Sequence, residues 1–97
     1  MMATIIGVCT LQLSIPTATS LKDKRGVVKS VLARLRNEFN VSVAEVDQLD
    51  NWQSAVVAAV AVSSDRDYAH GLLSRVALWV ERTRLDCELV DYEIELM

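Results

Sequence analysis

The chain is poor in the residues on which several protein classes depend. Its 97 residues include one proline, three glycines and two cysteines, and aromatic residues make up 5%. So little glycine and proline excludes collagen-like and low-complexity chains, and a hydrophobic content of 52% excludes a disordered one. Cys9 and Cys87 form no CxxC motif, so we expect buried thiols rather than a disulfide framework, a zinc site or an iron–sulfur cluster.

The segments that carry proteins into membranes are also missing. The longest uninterrupted apolar run, residues 55–62, is much shorter than the roughly 20 residues that cross a bilayer. No lysine or arginine precedes Lys22, so a secretory signal would lack its basic region. We therefore expect a cytoplasmic protein with no membrane partner, which folds as a single domain over residues 1–97.

Residues suited to catalysis are equally scarce. His70 is the only histidine, and nothing in the sequence places it beside a serine or cysteine nucleophile. There is no glycine-rich phosphate loop. The acidic row Asp91, Glu93 and Glu95 is more typical of an edge strand protected against further pairing than of a cation site. We predict no enzymatic activity, no catalytic residue, no metal site and no cofactor, and the sequence identifies no small-molecule substrate.

The first half of the chain predicts a strand, a helix and a second strand. Residues 4–15 alternate between two faces, which indicates a strand that Pro16 ends. Ser20, with Asp23 at the capping-box spacing, begins a helix. Its apolar residues recur at helical spacing: Leu21, Val28, Val31, Leu32, Leu35 and Phe39. In residues 41–48 the apolar positions change parity, which indicates either a bulge or an edge strand with both faces half dry.

The second half predicts a strand, a helix and a final strand. Residues 49–51 indicate a turn, and residues 54–63 are a nearly continuous apolar run typical of a central strand covered on both faces. Ser64 with Asp67 begins the second helix. Its predicted apolar face comprises Tyr68, Leu72, Val76, Trp79 and Val80. The final segment alternates, with Val90, Tyr92, Ile94 and Leu96 on one side and the acidic row on the other.

This order of elements predicts an α+β fold. Two right-handed crossovers give a four-stranded antiparallel sheet of order 4-1-3-2 with both helices on one face, a ferredoxin-like βαββαβ sandwich. Its bare sheet face should carry Ile6 and Val8 with a charged rim, which favours an interface that a second copy or a partner protein would bury. Trp52, at the hairpin turn, either packs under the sheet edge or anchors such a contact.

Positive charge is concentrated in the first helix. Residues 20–37 contain six basic residues and one acidic residue, whereas the rest of the chain contains four basic and twelve acidic residues. The helical repeat places Lys22, Arg25, Lys29 and Arg36 on one stripe beside the apolar face. Two interpretations stand: a surface that binds phosphate, nucleic acid or an acidic protein, and a solvated face whose cations pair with the protein's own acids.

The start of this helix breaks two local rules. Its first turns are crowded with cations at the positive end of the helix dipole, and Gly26 lies in the helix interior at a cost of about 1 kcal/mol relative to alanine. An anion docked at Thr19 and Ser20 would relieve the repulsion, and Gly26 would let another backbone approach. The first and third strands lack the aromatic residues on which RNA-binding sheets stack bases, so nucleic acid would bind to the helix.

Five segments together carry the signature of a family. They are residues 20–25 (SLKDKR), 39–47 (FNVSVAEVD), 52–53 (WQ), 62–65 (VSSD) and 91–94 (DYEI). In this order and spacing the chain resembles the YlxP-like family of small bacterial proteins of unknown function over essentially its whole length. The resemblance implies a ferredoxin-like fold and no assigned chemistry. Many members are encoded beside factors for transcription elongation, translation initiation and ribosome maturation, which implies ribosomal RNA or a ribosomal protein as the partner of the basic helix.

Two functional hypotheses follow. The leading one is a non-catalytic binding protein that associates with ribosomal RNA or the small ribosomal subunit. Its predicted anion-binding residues are Lys22, Lys24, Arg25, Lys29 and Arg36. The alternative is a structural module that forms a homodimer through its bare sheet face without nucleic acid. The predicted interface residues are Ile6, Val8 and Trp52.

Overall fold

The computed structural model describes residues 3–97 and contains a single antiparallel sheet with two helices. The elements are β1 (Ile5–Ser14), α1 (Leu21–Glu38), β2 (Ser42–Asp47), β3 (Ser54–Ser63), α2 (Arg66–Arg82) and β4 (Glu88–Leu96). The strand order is β2-β3-β1-β4, which is the predicted order 4-1-3-2 counted from the other edge. The α+β, ferredoxin-like prediction is therefore confirmed.

The core lies between the sheet and the helices, because alternate residues of the two central strands point toward them. The buried hydrophobic residues of these strands are Cys9, Leu11 and Leu13 of β1 and Ala55, Val57, Ala59 and Ala61 of β3. Helix α1 packs on the β2 side of the sheet, and α2 packs on β1, β3 and β4. Across the described residues, neither helix is long and apolar enough to cross a membrane.

The starts of the two helices differ in how well the sequence predicts them. Ser20 caps α1 as expected, and its side chain accepts a hydrogen bond from the Asp23 backbone N–H at 3.0 Å. The prediction for α2 was wrong by one residue, since Asp65 is the cap and accepts from the Asp67 N–H at 3.0 Å. Tyr68 was expected in the core but is exposed, because the buried face of α2 instead includes Ala69 and Leu73.

Both edge strands contain a bulge. In β2 the register shifts between Glu45 and Asp47 and Val46 is the extra residue, so of the two interpretations of this segment the structure shows the bulge. In β4 the shift leaves Val90 without a partner on β1. Val90 was expected on the covered side of this strand and is instead exposed, because the bulge turns it out of the alternation. Tyr92 faces the helix layer opposite Leu11 but stays exposed at the sheet edge.

Candidate nucleic-acid interface and open sheet face

The basic stripe, which comprises Lys22, Arg25, Lys29 and Arg36, is exposed to solvent. It lies outside the buried face that α1 forms with Val28, Val31 and Leu35. Within residues 3–97, the one ion pair shorter than 4.0 Å joins two other residues, Lys24 and Glu45. The alternative in which the stripe pairs with the protein's own acids therefore finds no carboxylate contact here, and these charges face water.

Lys24 does not belong to this surface. Its side chain is completely buried, with 0% exposure. The ammonium nitrogen lies 2.6 Å from Glu45 Oε2 and donates to the backbone carbonyls of Gln48 at 2.7 Å and Leu49 at 3.3 Å. The prediction that Lys24 binds an anion was wrong, because its place on the buried face of α1 directs its charge toward the end of β2 and the turn that follows. Four-residue spacing from Val28 was a sequence signal for this burial.

Two arginines of α1 make contacts with other elements of the fold. Arg36 donates from Nη2 to the carbonyl of Val43 in β2 at 3.2 Å, which tethers one end of the basic stripe to the sheet edge. Arg34 lies outside the stripe, with its guanidinium carbon 5.3 Å from the centre of the Trp79 ring. That cation–π contact joins α1 to α2. The cations left without such contacts are Lys22, Arg25 and Lys29.

The start of α1 holds a negative charge of its own. Asp23 Oδ2 accepts hydrogen bonds from the Thr19 hydroxyl at 2.7 Å and from the Thr19 N–H at 3.1 Å. These bonds lower the pKa of Asp23 below its ordinary value, and the bond from the Thr19 side chain has the larger effect. An internal carboxylate therefore takes the two donors of Thr19 that an external anion at Thr19 and Ser20 would use. Asp23 also offsets the cations crowded at the positive end of the helix dipole.

Neither thiol is activated as a nucleophile. Both cysteines are free. Burial raises the pKa of Cys9 to about 11, and burial together with the nearby Asp86 charge raises the pKa of Cys87 to about 11. Both are therefore protonated at neutral pH and poor nucleophiles. His70 is exposed beside Ser74, and in the described part of the chain no three His, Cys, Asp or Glu residues converge on a metal position.

The open face, which is the sheet surface away from the helices, carries the predicted apolar residues. Ile6 and Val8 lie on it, opposite Val62 and Val60 of β3 in register. Ile6 and Val62 are both exposed, whereas Val8 and Val60 are half-buried by their neighbours. The prediction that Ile6 and Val8 share this face is thus confirmed, and the patch lies at one end of the sheet.

Trp52 lies at the opposite end of the sheet, in the turn between β2 and β3. It is 53% exposed, so it does not pack under the sheet edge. The next residue, Gln53, fixes the turn, because its carbonyl accepts from the Ile15 N–H at 2.8 Å and its amide donates to the Pro16 carbonyl at 3.2 Å. Trp52 is therefore presented to solvent by an ordered turn.

Taken with the fold, these surfaces define a small α+β sandwich protein with a basic helix on one side and an exposed sheet on the other. The chain belongs to the family described as "Protein of unknown function (DUF503)", whose model matches residues 6–94. It is 39% identical over 77 residues to the uncharacterized protein YlxP of Bacillus subtilis (strain 168), which covers 79% of this chain and 84% of that protein. The YlxP-like resemblance is confirmed.

A solved structure supports the architecture. The de novo designed protein Foldit4 superposes with a TM-score of 0.52 at 14% sequence identity, over 97% of this chain and 96% of the designed one. At so low an identity the similarity shows the fold alone. Any function must therefore be argued from the surfaces of this chain.

Proposed function

We propose that the protein is a non-catalytic, cytoplasmic RNA-binding factor that associates with ribosomal RNA through α1. The observation that carries the proposal is the exposure of Lys22, Arg25 and Lys29 on one side of α1 with no carboxylate within 4.0 Å of them among residues 3–97. Unpaired cations bind phosphates chiefly by releasing condensed counterions. The gene neighbourhood that the YlxP-like resemblance implies supports ribosomal RNA as the polyanion.

The spacing of these cations suits a nucleic-acid backbone. Lys22 and Lys29 are seven residues apart, which is about 10 Å along a helix that rises 1.5 Å per residue. A strand of nucleic acid carries a charge about every 3.4 Å along its axis, so α1 spans about three phosphates. The sheet is a poor alternative for RNA, because the acidic side chains of β4 would repel phosphate.

Reversing the charge of these residues should abolish RNA binding. We expect the triple variant Lys22→Glu, Arg25→Glu and Lys29→Glu to lose co-sedimentation with small ribosomal subunits, with affinity reduced at least tenfold because three phosphate contacts become repulsions. For the wild type, three contacts predict roughly a fortyfold loss of affinity between 50 mM and 200 mM salt. Sedimentation at both salt concentrations measures the two effects.

The chain offers a control with the same change in net charge. Arg66, Arg75 and Arg82 are exposed on α2, and their reversal to glutamate should leave co-sedimentation within twofold of the wild type. Equal losses in the two triple variants would show that only net charge matters and would contradict a site on α1. Binding that the α1 variant retains would contradict the proposal outright.

A second candidate function uses the open face. Pairing of two copies there would bury the exposed Ile6 and Val62, and two-fold pairing is the commonest mode of self-association. The protein would then be a structural interaction module, with Ile6, Val8 and Trp52 as its predicted contacts and no nucleic acid involved.

Light scattering tests the pairing of two copies. If it occurs, the wild type has twice the mass of the chain, and Val8→Asp halves that mass because a carboxylate cannot be buried without a partner. Leu78→Asp is the control, since Leu78 is an exposed apolar residue on α2 and its substitution should leave the mass unchanged. A folded Val8→Asp variant with unchanged mass would rule out a homodimer formed through the open face.

A further inference from the structure

The sheet contributes negative charge only. Its four strands contain six acidic residues and no lysine or arginine. One of the six, Glu45, faces the helix layer and is paired with Lys24. The others are in register with residues of the open face: Asp47, Glu88, Asp91, Glu93 and Glu95. The open face is therefore acidic as well as apolar, and no strand residue neutralises it.

The strand registers place these acids at the sides of the face and small residues at its centre. One row across the sheet consists of Asp47, Val56, Gln12 and Asp91, in the order β2, β3, β1, β4. The next rows along the strands are Ala44, Ala58, Thr10 and Glu93, then Ser42, Val60, Val8 and Glu95. The middle of each row is uncharged, and every row ends at β4 in a carboxylate.

The two bulges lie at opposite edges of the sheet, next to the first of these rows. The extra residues, Val46 in β2 and Val90 in β4, are 52% and 64% exposed, and each directly precedes an aspartate of the first row. Between the edges lies a hollow of about 440 Å³, whose lining includes Gln12, Val56 and Val90. The outer strands are three inter-strand spacings apart, which is about 14 Å.

We infer that the open face is the docking surface for a basic amphipathic α-helix of a partner protein. Such a helix is about 10–12 Å across. Lying over the sheet, it is narrower than the distance between the two edge strands. Its apolar side would contact Val8, Val56 and Ala58, and its lysines and arginines would flank that side and meet the carboxylates of β4 and Asp47. The helix would complete a third layer over a sheet that is covered on one side only.

Charge favours this occupant over two others. Nucleic acid would meet a face lined with carboxylates and no cation. A second copy of this chain, paired face to face, would bring two acidic surfaces together. Its own basic helix is no substitute, because the residues of α1 that share its outward side are small or polar, as Gly26, Ser30 and Ala33 are. That helix therefore lacks the apolar side that the open face requires.

The turn next to the hollow supplies fixed apolar contacts for one end of the helix. Leu49 and Trp52 are both more than half exposed, although Lys24 holds the carbonyl of Leu49 from within. Gln48 adopts a left-handed backbone conformation with φ of 61°, which further defines the shape of the turn. An exposed tryptophan on an ordered turn loses little conformational entropy on binding.

The inference is independent of RNA binding by α1 and can be tested with two synthetic peptides. The first is a fluorescein-labelled 18-residue amphipathic helix of leucine and lysine, and the second replaces every lysine with glutamate. We expect the lysine peptide to bind the full-length protein at least tenfold more tightly than the glutamate peptide in an anisotropy titration. Equal affinities would contradict recognition by charge.

Two variants, each with an alanine replaced by arginine, locate the binding site. Ala58→Arg places a long cation in the centre of the open face and should weaken binding of the lysine peptide at least tenfold. Ala33→Arg makes the same change on the exposed side of α1 and should alter the affinity for the lysine peptide less than twofold. Circular dichroism should confirm that both variants fold. Equal binding by Ala58→Arg and the wild type would overturn the inference. So would a wild-type dimer that Ala58→Arg dissociates, because a second copy would then occupy the face.

Discussion

Replacing Lys24 with methionine should lower the free energy of unfolding by about 3 kcal/mol, the lower end of the cost of removing one partner from a buried ion pair. The variant keeps a long unbranched side chain but leaves Glu45 with an unpaired carboxylate that is only 16% exposed. The carbonyl of Leu49 also loses the ammonium as a donor. The Gln48 carbonyl loses less, since it still accepts from the Asn51 N–H at 3.0 Å.

Urea denaturation measures this loss, and Lys22→Met is the matched control. Lys22 is exposed two residues earlier in the same helix, so the same substitution there should change the free energy of unfolding by less than about 0.5 kcal/mol. Similar small effects from both variants would show that the buried ammonium contributes little. A second check is the double variant Lys24→Met and Glu45→Met, which should recover part of the loss because no buried charge is left without a partner.

The fold was predictable because its local patterns agree with one another. The alternation of β1, the helical repeat from Leu21 to Phe39 and the apolar run of β3 each indicate one element, and their order allows few topologies. The ends of the elements were predicted less accurately, as the N-cap of α2 at Asp65 shows. At such positions two neighbouring polar residues both suit a cap, so the choice depends on tertiary packing.

The candidate surfaces were predictable only in part. A helical wheel placed Lys22, Arg25 and Lys29 correctly on an exposed side, because the angle between residues on a helix is fixed. The same wheel places Lys24 apart from the stripe, on the side of Val28 and Leu35, and it was counted among the anion-binding residues only because its residue type suggested an exposed charge. The alternation of β4 correctly placed Asp91, Glu93 and Glu95 at the rim of the open face. Their partners across the sheet depend on register between strands distant in sequence, and the bulge at Val90 shifts that register within β4. No local pattern contains this information.

Gly7→Ala should destabilise the protein by about 1–3 kcal/mol, the usual cost of an extra methyl group in a packed core. A Cβ at this buried position in β1 would lie 2.7 Å from Leu73 Cδ1 and 3.0 Å from Leu96 Cδ2. Leu73 is completely buried in α2, so it cannot move away without displacing the core around it. Gly7 is thus the position that allows α2 to approach the sheet closely.

Gly26→Ala should stabilise the protein, whereas Gly7→Ala should destabilise it, so the two glycines form a matched pair. Gly26 is exposed within α1, and a Cβ built there has no neighbour within 4 Å. The change should therefore raise the free energy of unfolding by about 0.5–1 kcal/mol through the better helix propensity of alanine. Urea midpoints of the two single variants, measured against the wild type, should lie on opposite sides of it. A destabilised Gly26→Ala would mean that α1 makes a close contact at this position, and a neutral Gly7→Ala would mean that α2 is less tightly packed on β1 than the distances require.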